Sequence, residues 1–322
     1  MSQAEKFISP VVRHMPPSGI RKFFDLVSQT RGVISLGVGE PDFVTPWHIR
    51  QACIVSLQEG YTMYTSNQGL PELRAEISRY LSERFGLAYD PWTEILVTVG
   101  ASEAVDLALR AVISPGDEVL IPEPSYVSYK PCVLLAGGRP VVVPTRKENG
   151  FKLTPELLIP YITHRTKALI MCYPNNPTGA IMEKEELAGI ADLAQQYGFL
   201  VISDEIYAEL TYNGAHTSIA SLPGMAEQTI LVSGFSKAFA MTGWRIGYAC
   251  APACLLDAMN KIHQYTALCA PVMGQIAAIE ALRRGSKEVN RMVEQYNQRR
   301  RLVVARFKEM GLPCFEPRGA FY

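Results

Sequence analysis

Short apolar runs alternate with stretches of helical period from about residue 95 to about residue 250. The runs are Ile95–Val99, Glu118–Ile121, Pro140–Val143, Ala168–Cys172, Leu200–Ser203, Ile230–Val232 and Ile246–Cys250, most of them β-branched and bounded by Pro, Gly or Asp. Runs of that length with little polar alternation predict strands buried on both faces. Between them, Ser102–Val112 opens with Ser-Glu as a first-turn signal, and Lys184–Tyr197 is amphipathic and closed by Gly198, so both predict helices. Strand, helix, strand in this order implies right-handed crossovers, hence an α/β fold built on a mostly parallel seven-stranded sheet flanked by helices. Ligands of such sheets sit beyond the carboxyl ends of the strands, so chemistry is expected just after each apolar run.

Outside that region the pattern changes. Residues 1–48 carry Pro16, Pro17, Gly19, Gly37, Gly39, Pro41 and Pro46 and read as an extended arm plus loop, possessing part of a small domain. Residues 49–286 read as a large domain. A long polar helix from Lys287 to Met310 leads into Gly311-Leu-Pro-Cys-Phe315, so that 287–322 reads as the start of a C-terminal small domain that the sequence does not complete. The Arg299-Arg-Arg301 cluster on that helix reads as a solvated face.

Composition narrows the function classes. The 322 residues are 48% hydrophobic and 19% charged, with 31 basic and 31 acidic side chains, which describes a globular protein with no basic stripe for nucleic acid. Seven cysteines, at 53, 132, 172, 250, 254, 269 and 314, form no CxxC pair and have no His at metal-finger spacing, so free thiols in a reducing cytosol are expected and no metal. Neither an apolar signal segment nor a membrane-length apolar run is present, and a cytoplasmic location is expected.

The segment after the sixth run reads Ser233-Gly-Phe-Ser-Lys-Ala-Phe239 and continues Ala-Met-Thr-Gly-Trp-Arg-Ile-Gly-Tyr248. A lysine at a strand end in a partly desolvated pocket sheds its proton and attacks an aldehyde, and an arginine nearby grips a phosphate bidentately. For a lone Lys-x7-Arg, a surface Lys and a structural Arg would be much the better explanation. The whole segment, with Arg245 eight residues after Lys237 and Gly243 and Gly247 around it, resembles the cofactor-lysine signature of pyridoxal-phosphate (PLP) aminotransferases of fold type I, class I/II, in the branch acting on aspartate, alanine or aromatic amino acids. The resemblance extends from about residue 14 to residue 322 and is carried by further motifs in the family's order.

It implies a role for each motif. Lys237 would carry the cofactor as a Schiff base and act as general base and acid. Asp204, in Leu200-Val-Ile-Ser-Asp-Glu-Ile-Tyr207, would pair with the ring nitrogen, and Tyr207 would hydrogen-bond the ring's phenolic oxygen; a local helix cap is the rival use of Asp204. Asn176, in Tyr173-Pro-Asn-Asn-Pro-Thr-Gly179, would donate to the same oxygen and lie near substrate, with a purely turn-forming role as the rival. The amides of Ala101 and Ser102 at a helix start, with Ser236 and Arg245, would take the cofactor phosphate. Tyr126, in Glu123-Pro-Ser-Tyr-Val-Ser-Tyr129, would stack on the ring, with Tyr129 assigned to packing. Tyr64, in Tyr64-Thr-Ser-Asn-Gln-Gly69, would reach the phosphate of a neighbouring subunit, making the active unit a homodimer, and Gly39 would meet the substrate carboxylate through its backbone. Family members also carry an arginine for that carboxylate beyond Gly319-Ala-Phe-Tyr322, and no residue here is nominated for it.

The expected activity is ping-pong transfer of an amino group from an L-amino acid to a 2-oxo acid such as 2-oxoglutarate. A carbon–sulfur β-lyase on the same cofactor is the rival within enzymes, and a noncatalytic PLP-binding dimerisation module the rival outside them. Substrate choice lies outside these motifs.

Overall fold

A computed structural model describes residues 3–17, 32 and 39–322. Seven strands, β1 (Ile95–Thr98), β2 (Glu118–Glu123), β3 (Arg139–Pro144), β4 (Thr166–Cys172), β5 (Leu200–Asp204), β6 (Thr229–Gly234) and β7 (Gly247–Cys250), form one sheet in the order β1-β7-β6-β5-β4-β2-β3. All neighbours are parallel except β7, which runs antiparallel to both β1 and β6. Each predicted run is a strand, with ends shifted by one or two residues. The central strands are solidly apolar because helices cover both faces, and each fully buried Leu or Ile there contributes roughly 1.5–3 kcal/mol. Edge strand β3 is only partly covered.

The predicted helices are present as Ala101–Val112, Lys184–Tyr197 and Ser286–Glu309. Glu103 explains the first: its carboxylate accepts from the Val99 amide at 2.5 Å and pairs with buried His263 Nδ1 at 2.8 Å, tying the helix start to the helix Ala253–Thr266. Gly198 closes the second in a left-handed conformation, φ +71°, where a side chain would be strained.

Two expectations need correction. The N-terminal arm is not simply extended: Ala4–Phe7 forms a 3-10 turn and Pro10–His14 a short helix, and a longer helix starts at Trp47. Nor is the arginine cluster a solvated face throughout. Arg300 turns inward, donates to Asn297 Oδ1 at 2.9 Å and to the Pro317 carbonyl at 3.0 Å, and lies over the Tyr212 ring. It thereby anchors the segment 316–322 to the helix Ser286–Glu309, and Arg299 pairs with Asp42 at 2.8 Å. Among the described residues no helix is long and apolar enough to cross a membrane.

Candidate active site

The carboxyl ends of β2, β4, β5 and β6, the start of the helix Ala101–Val112 and the segment 319–322 meet at one end of the sheet. Lys237 follows β6, and its Nζ donates to the Gly39 carbonyl at 2.9 Å while standing 5.7 Å from the Tyr207 ring centre and 5.5 Å from that of Phe321. Burial lowers the lysine's pKa and the positive Arg245 adds to that, while Glu40 and Asp204 oppose it. An amine in such a setting is nearer to its nucleophilic, neutral form than a surface lysine. Of the loop 36–42, Leu36, Gly37 and Val38 lie outside the described residues. Gly39 lies within them, and a Cβ there would fall 2.1 Å from the Tyr322 hydroxyl oxygen, so a side chain would have to displace that ring.

Asp204 is buried at the end of β5. Oδ1 accepts from the Ile206 amide at 3.2 Å within a turn that no helix follows, so the helix-cap reading is not met, and Oδ2 accepts from the Tyr129 hydroxyl at 2.8 Å. Desolvation pushes the Asp204 pKa up to about 6 against the opposing pull of the Tyr129 bond. Tyr129 is therefore more than packing. The sequence offered no signal for this, because the two residues stand 75 positions apart and meet only when the ends of β2 and β5 converge.

The Asn-Asn pair after β4 divides the two roles that compete in the sequence. Asn175 makes the turn, with Oδ1 accepting from the Thr178 amide at 3.1 Å and its hydroxyl at 2.8 Å. Asn176 is left to point elsewhere: its Nδ2 donates to the Tyr322 hydroxyl oxygen at 3.1 Å, and the Tyr207 hydroxyl lies 2.8 Å from the same oxygen. Two polar groups thus converge on a phenolic oxygen, the same kind of atom that a pyridoxal ring presents. Phe321 and Tyr322 are site residues that sequence reasoning missed; they arrive because Arg318 and Gly319 donate to the Gly179 carbonyl and the Tyr212 hydroxyl bonds the Ala320 carbonyl.

At the helix start, Gly100 (φ +76°) provides no side-chain cap, so the first-turn amides of Ala101 and Ser102 are free of one. A Cβ on Gly100 would fall 2.5 Å from Arg245 Nη2, which puts the guanidinium beside those amides. Arg245 itself is left-handed, φ 58°, and donates to the Thr242 carbonyl at 3.0 Å rather than to a carboxylate among the described residues. An uncapped helix start beside an available guanidinium suits a phosphate. Ser236 is buried one residue before Lys237. Tyr126 is half-buried with its ring edge-on to Tyr129 at 5.6 Å. Tyr64 alone stands apart, 83% exposed on the surface.

Amine, carboxylate, phenol-binding pair and anion cradle are the parts a pyridoxal phosphate needs, and comparison with known proteins agrees. The sequence model of the family described as aminotransferase class I and II matches residues 31–322. The chain is 56% identical over 316 residues to YugH of Bacillus subtilis (strain 168), covering 98% of this chain and 82% of that one. It is 50% identical over 309 residues to an aspartate aminotransferase of Pyrococcus abyssi, covering 95% and 79%. The crystal structure of an aromatic aminotransferase from Pyrococcus horikoshii OT3 superposes with a TM-score of 0.88 at 47% identity, over 92% of this chain and 80% of that one. The chain belongs to the class I and II aminotransferases, enzymes that move amino groups with pyridoxal phosphate.

Proposed function

We propose that this protein transfers the amino group of an L-amino acid of the aspartate, alanine or aromatic type to a 2-oxo acid such as 2-oxoglutarate by a ping-pong mechanism, in the cytoplasm and as a homodimer. The convergence of Asn176 and Tyr207 on one phenolic oxygen within the same pocket as Lys237 carries the reading. In it, Lys237 would hold the cofactor covalently, Asp204 would pair with its ring nitrogen, and Asn176 and Tyr207 would bind its phenolic oxygen. Ala101, Ser102, Ser236 and Arg245 take its phosphate, and Tyr126 covers its ring.

When bound, the cofactor supplies an electron sink that stabilises negative charge on the substrate Cα. Buried Asp204 keeps that sink effective by placing a negative charge at the ring nitrogen in a low-dielectric site. Lys237 would serve both as the base that takes the substrate Cα proton and as the acid that returns it, a role suited to an amine whose charged form burial disfavours. The substrate carboxylate is assigned to the Gly39 backbone, as the family resemblance implies. The aspartate and aromatic classes enter because relatives bearing those names match this chain at 46–50% identity.

The test is a half-reaction. Purified protein loaded with PLP is titrated with aspartate, alanine and phenylalanine, and the near-ultraviolet and visible spectrum is followed. Conversion of the cofactor to its amine form by one of them, reversed by 2-oxoglutarate, is the expected result, with Lys237→Ala inert in both directions. Release of pyruvate and ammonia from cystathionine without an oxo acid would replace transfer by carbon–sulfur lysis. Bound cofactor that no amino acid converts would remove the catalytic reading.

A further inference from the structure

The Asp204 carboxylate poses a physical problem. It is buried, and burial alone favours its neutral form, yet a neutral acid cannot balance a positive ring nitrogen. The groups facing it are Cys172 at the end of β4, Glu205 and Tyr207 on its own segment, Lys237 from the turn after β6, and Tyr129 from the segment after β2. Cys172 and Tyr207 are themselves held neutral by burial. Glu205 carries charge of the wrong sign, and its oxygens are taken up by Ser203 at 2.9 Å, Ser218 at 2.6 Å and His216 at 2.7 Å. Lys237 is the reacting amine and cannot be a fixed counter-charge. Besides the Ile206 amide on Oδ1, what remains is the hydroxyl of buried Tyr129, 2.8 Å from Oδ2 and the only side-chain donor to the carboxylate among the described residues.

A phenol is well suited to this place. Desolvation drives its pKa well above the ordinary value, so it keeps its proton and donates through the neutral range. A donor stabilises the ionised form of its acceptor, and charge-assisted bonds of this kind are the stronger ones. Unlike Arg or Lys, a neutral donor leaves the whole negative charge available to another cation. Its direction is fixed as well. The helix Tyr129–Leu135 begins at this residue, and the ring is held edge-on by Tyr126.

We propose that Tyr129 is the positioning residue of Asp204, holding its carboxylate ionised and oriented for the cofactor's ring nitrogen. The inference rests on the assignment of Asp204 in the preceding subsection. It adds a consequence for cofactor affinity: without the phenol, Asp204 takes up a proton at a higher pH and PLP binds more weakly.

The experiment measures the equilibrium affinity of refolded cofactor-free protein for PLP between about pH 5.5 and about pH 8.5 for wild type, Tyr129→Phe, Asp204→Asn and the double variant. Tyr129→Phe is expected to lower affinity roughly tenfold or more near neutral pH and to move the pH at which affinity falls upward. In the Asp204→Asn background the same substitution should change neither the affinity nor its pH profile, since no carboxylate remains to be held. A wild-type profile in Tyr129→Phe would overturn the inference and leave the Asp204 assignment standing. Equal losses from Tyr129→Phe with and without the Asp204 carboxylate would also overturn it, reducing Tyr129 to packing. An Asp204→Asn protein that binds PLP as wild type does would overturn the Asp204 assignment and the inference together. Urea midpoints of all four proteins separate weak binding from poor folding.

Discussion

Asp204 and Lys237 show what burial does to a single group. A carboxyl whose pKa stands at about 6 in the folded protein and near 3.8 when unfolded holds its proton more tightly in the native state. The sign follows: below about pH 4 both states are protonated and nothing is lost, whereas as pH rises through about 6 the folded protein must bury an anion and loses stability. The cofactor-free protein is therefore expected to become less stable relative to Asp204→Asn between about pH 4 and about pH 7, by on the order of 2–3 kcal/mol. Urea unfolding midpoints across that range check it, and a difference that stays constant with pH would contradict it. The same burial acts oppositely on Lys237, whose charged form is the one disfavoured. One pocket thus moves a base and an acid towards neutrality, and a cationic cofactor ring relieves the second of these.

At the scale of elements, the helix start at Ala101 owes its character to backbone shape more than to side chains. Gly100 is in a conformation that L side chains avoid, and a Cβ there would collide with the Arg245 guanidinium. Gly247, the first residue of β7, would bring a Cβ to 2.4 Å from the Ala101 amide nitrogen, a backbone atom that cannot swing aside. Gly100→Ala is therefore expected to cost roughly 1–3 kcal/mol of stability and, by displacing Arg245, to weaken binding of inorganic phosphate to the cofactor-free protein. Thermal unfolding with and without phosphate reads both effects. The strands themselves were legible because a strand covered on both faces must be apolar along its whole length. Their order was not: that β7 inserts between β1 and β6, antiparallel to both, depends on how the turn 235–246 folds back, and hydrophobic periodicity carries no record of it.

For the whole molecule, the exposed position of Tyr64 is the feature that the single chain does not use. In the proposed homodimer it serves the partner's site, and this separates it from Lys237, which serves its own. Mixing Lys237→Ala with Tyr64→Ala chains should then create hybrids with one intact site, restoring roughly one quarter of wild-type turnover when the chains assort at random. Activity no higher than the sum of the two parents would place Tyr64 outside any shared site.

Asn176, Asp204, Tyr207 and Lys237 could be nominated because each lies within a few residues after an apolar run, where the chain of a parallel sheet turns towards a ligand, whereas Arg245 precedes the run 246–250 and was named through its motif. The sequence alone thus determined the layered fold and the turns expected to line the pocket, which are local in the chain, while the kind of cofactor came from the resemblance of those turns to a known family. Tertiary structure alone decided the partners: Tyr129 for Asp204, Tyr322 between Asn176 and Tyr207, Arg300 for the segment at 317, and Asn175 rather than Asn176 for the turn. Each choice joins a buried polar group to whatever donor or acceptor lies within about 3 Å, and that distance is set by how strand ends converge across the sheet, not by spacing along the chain.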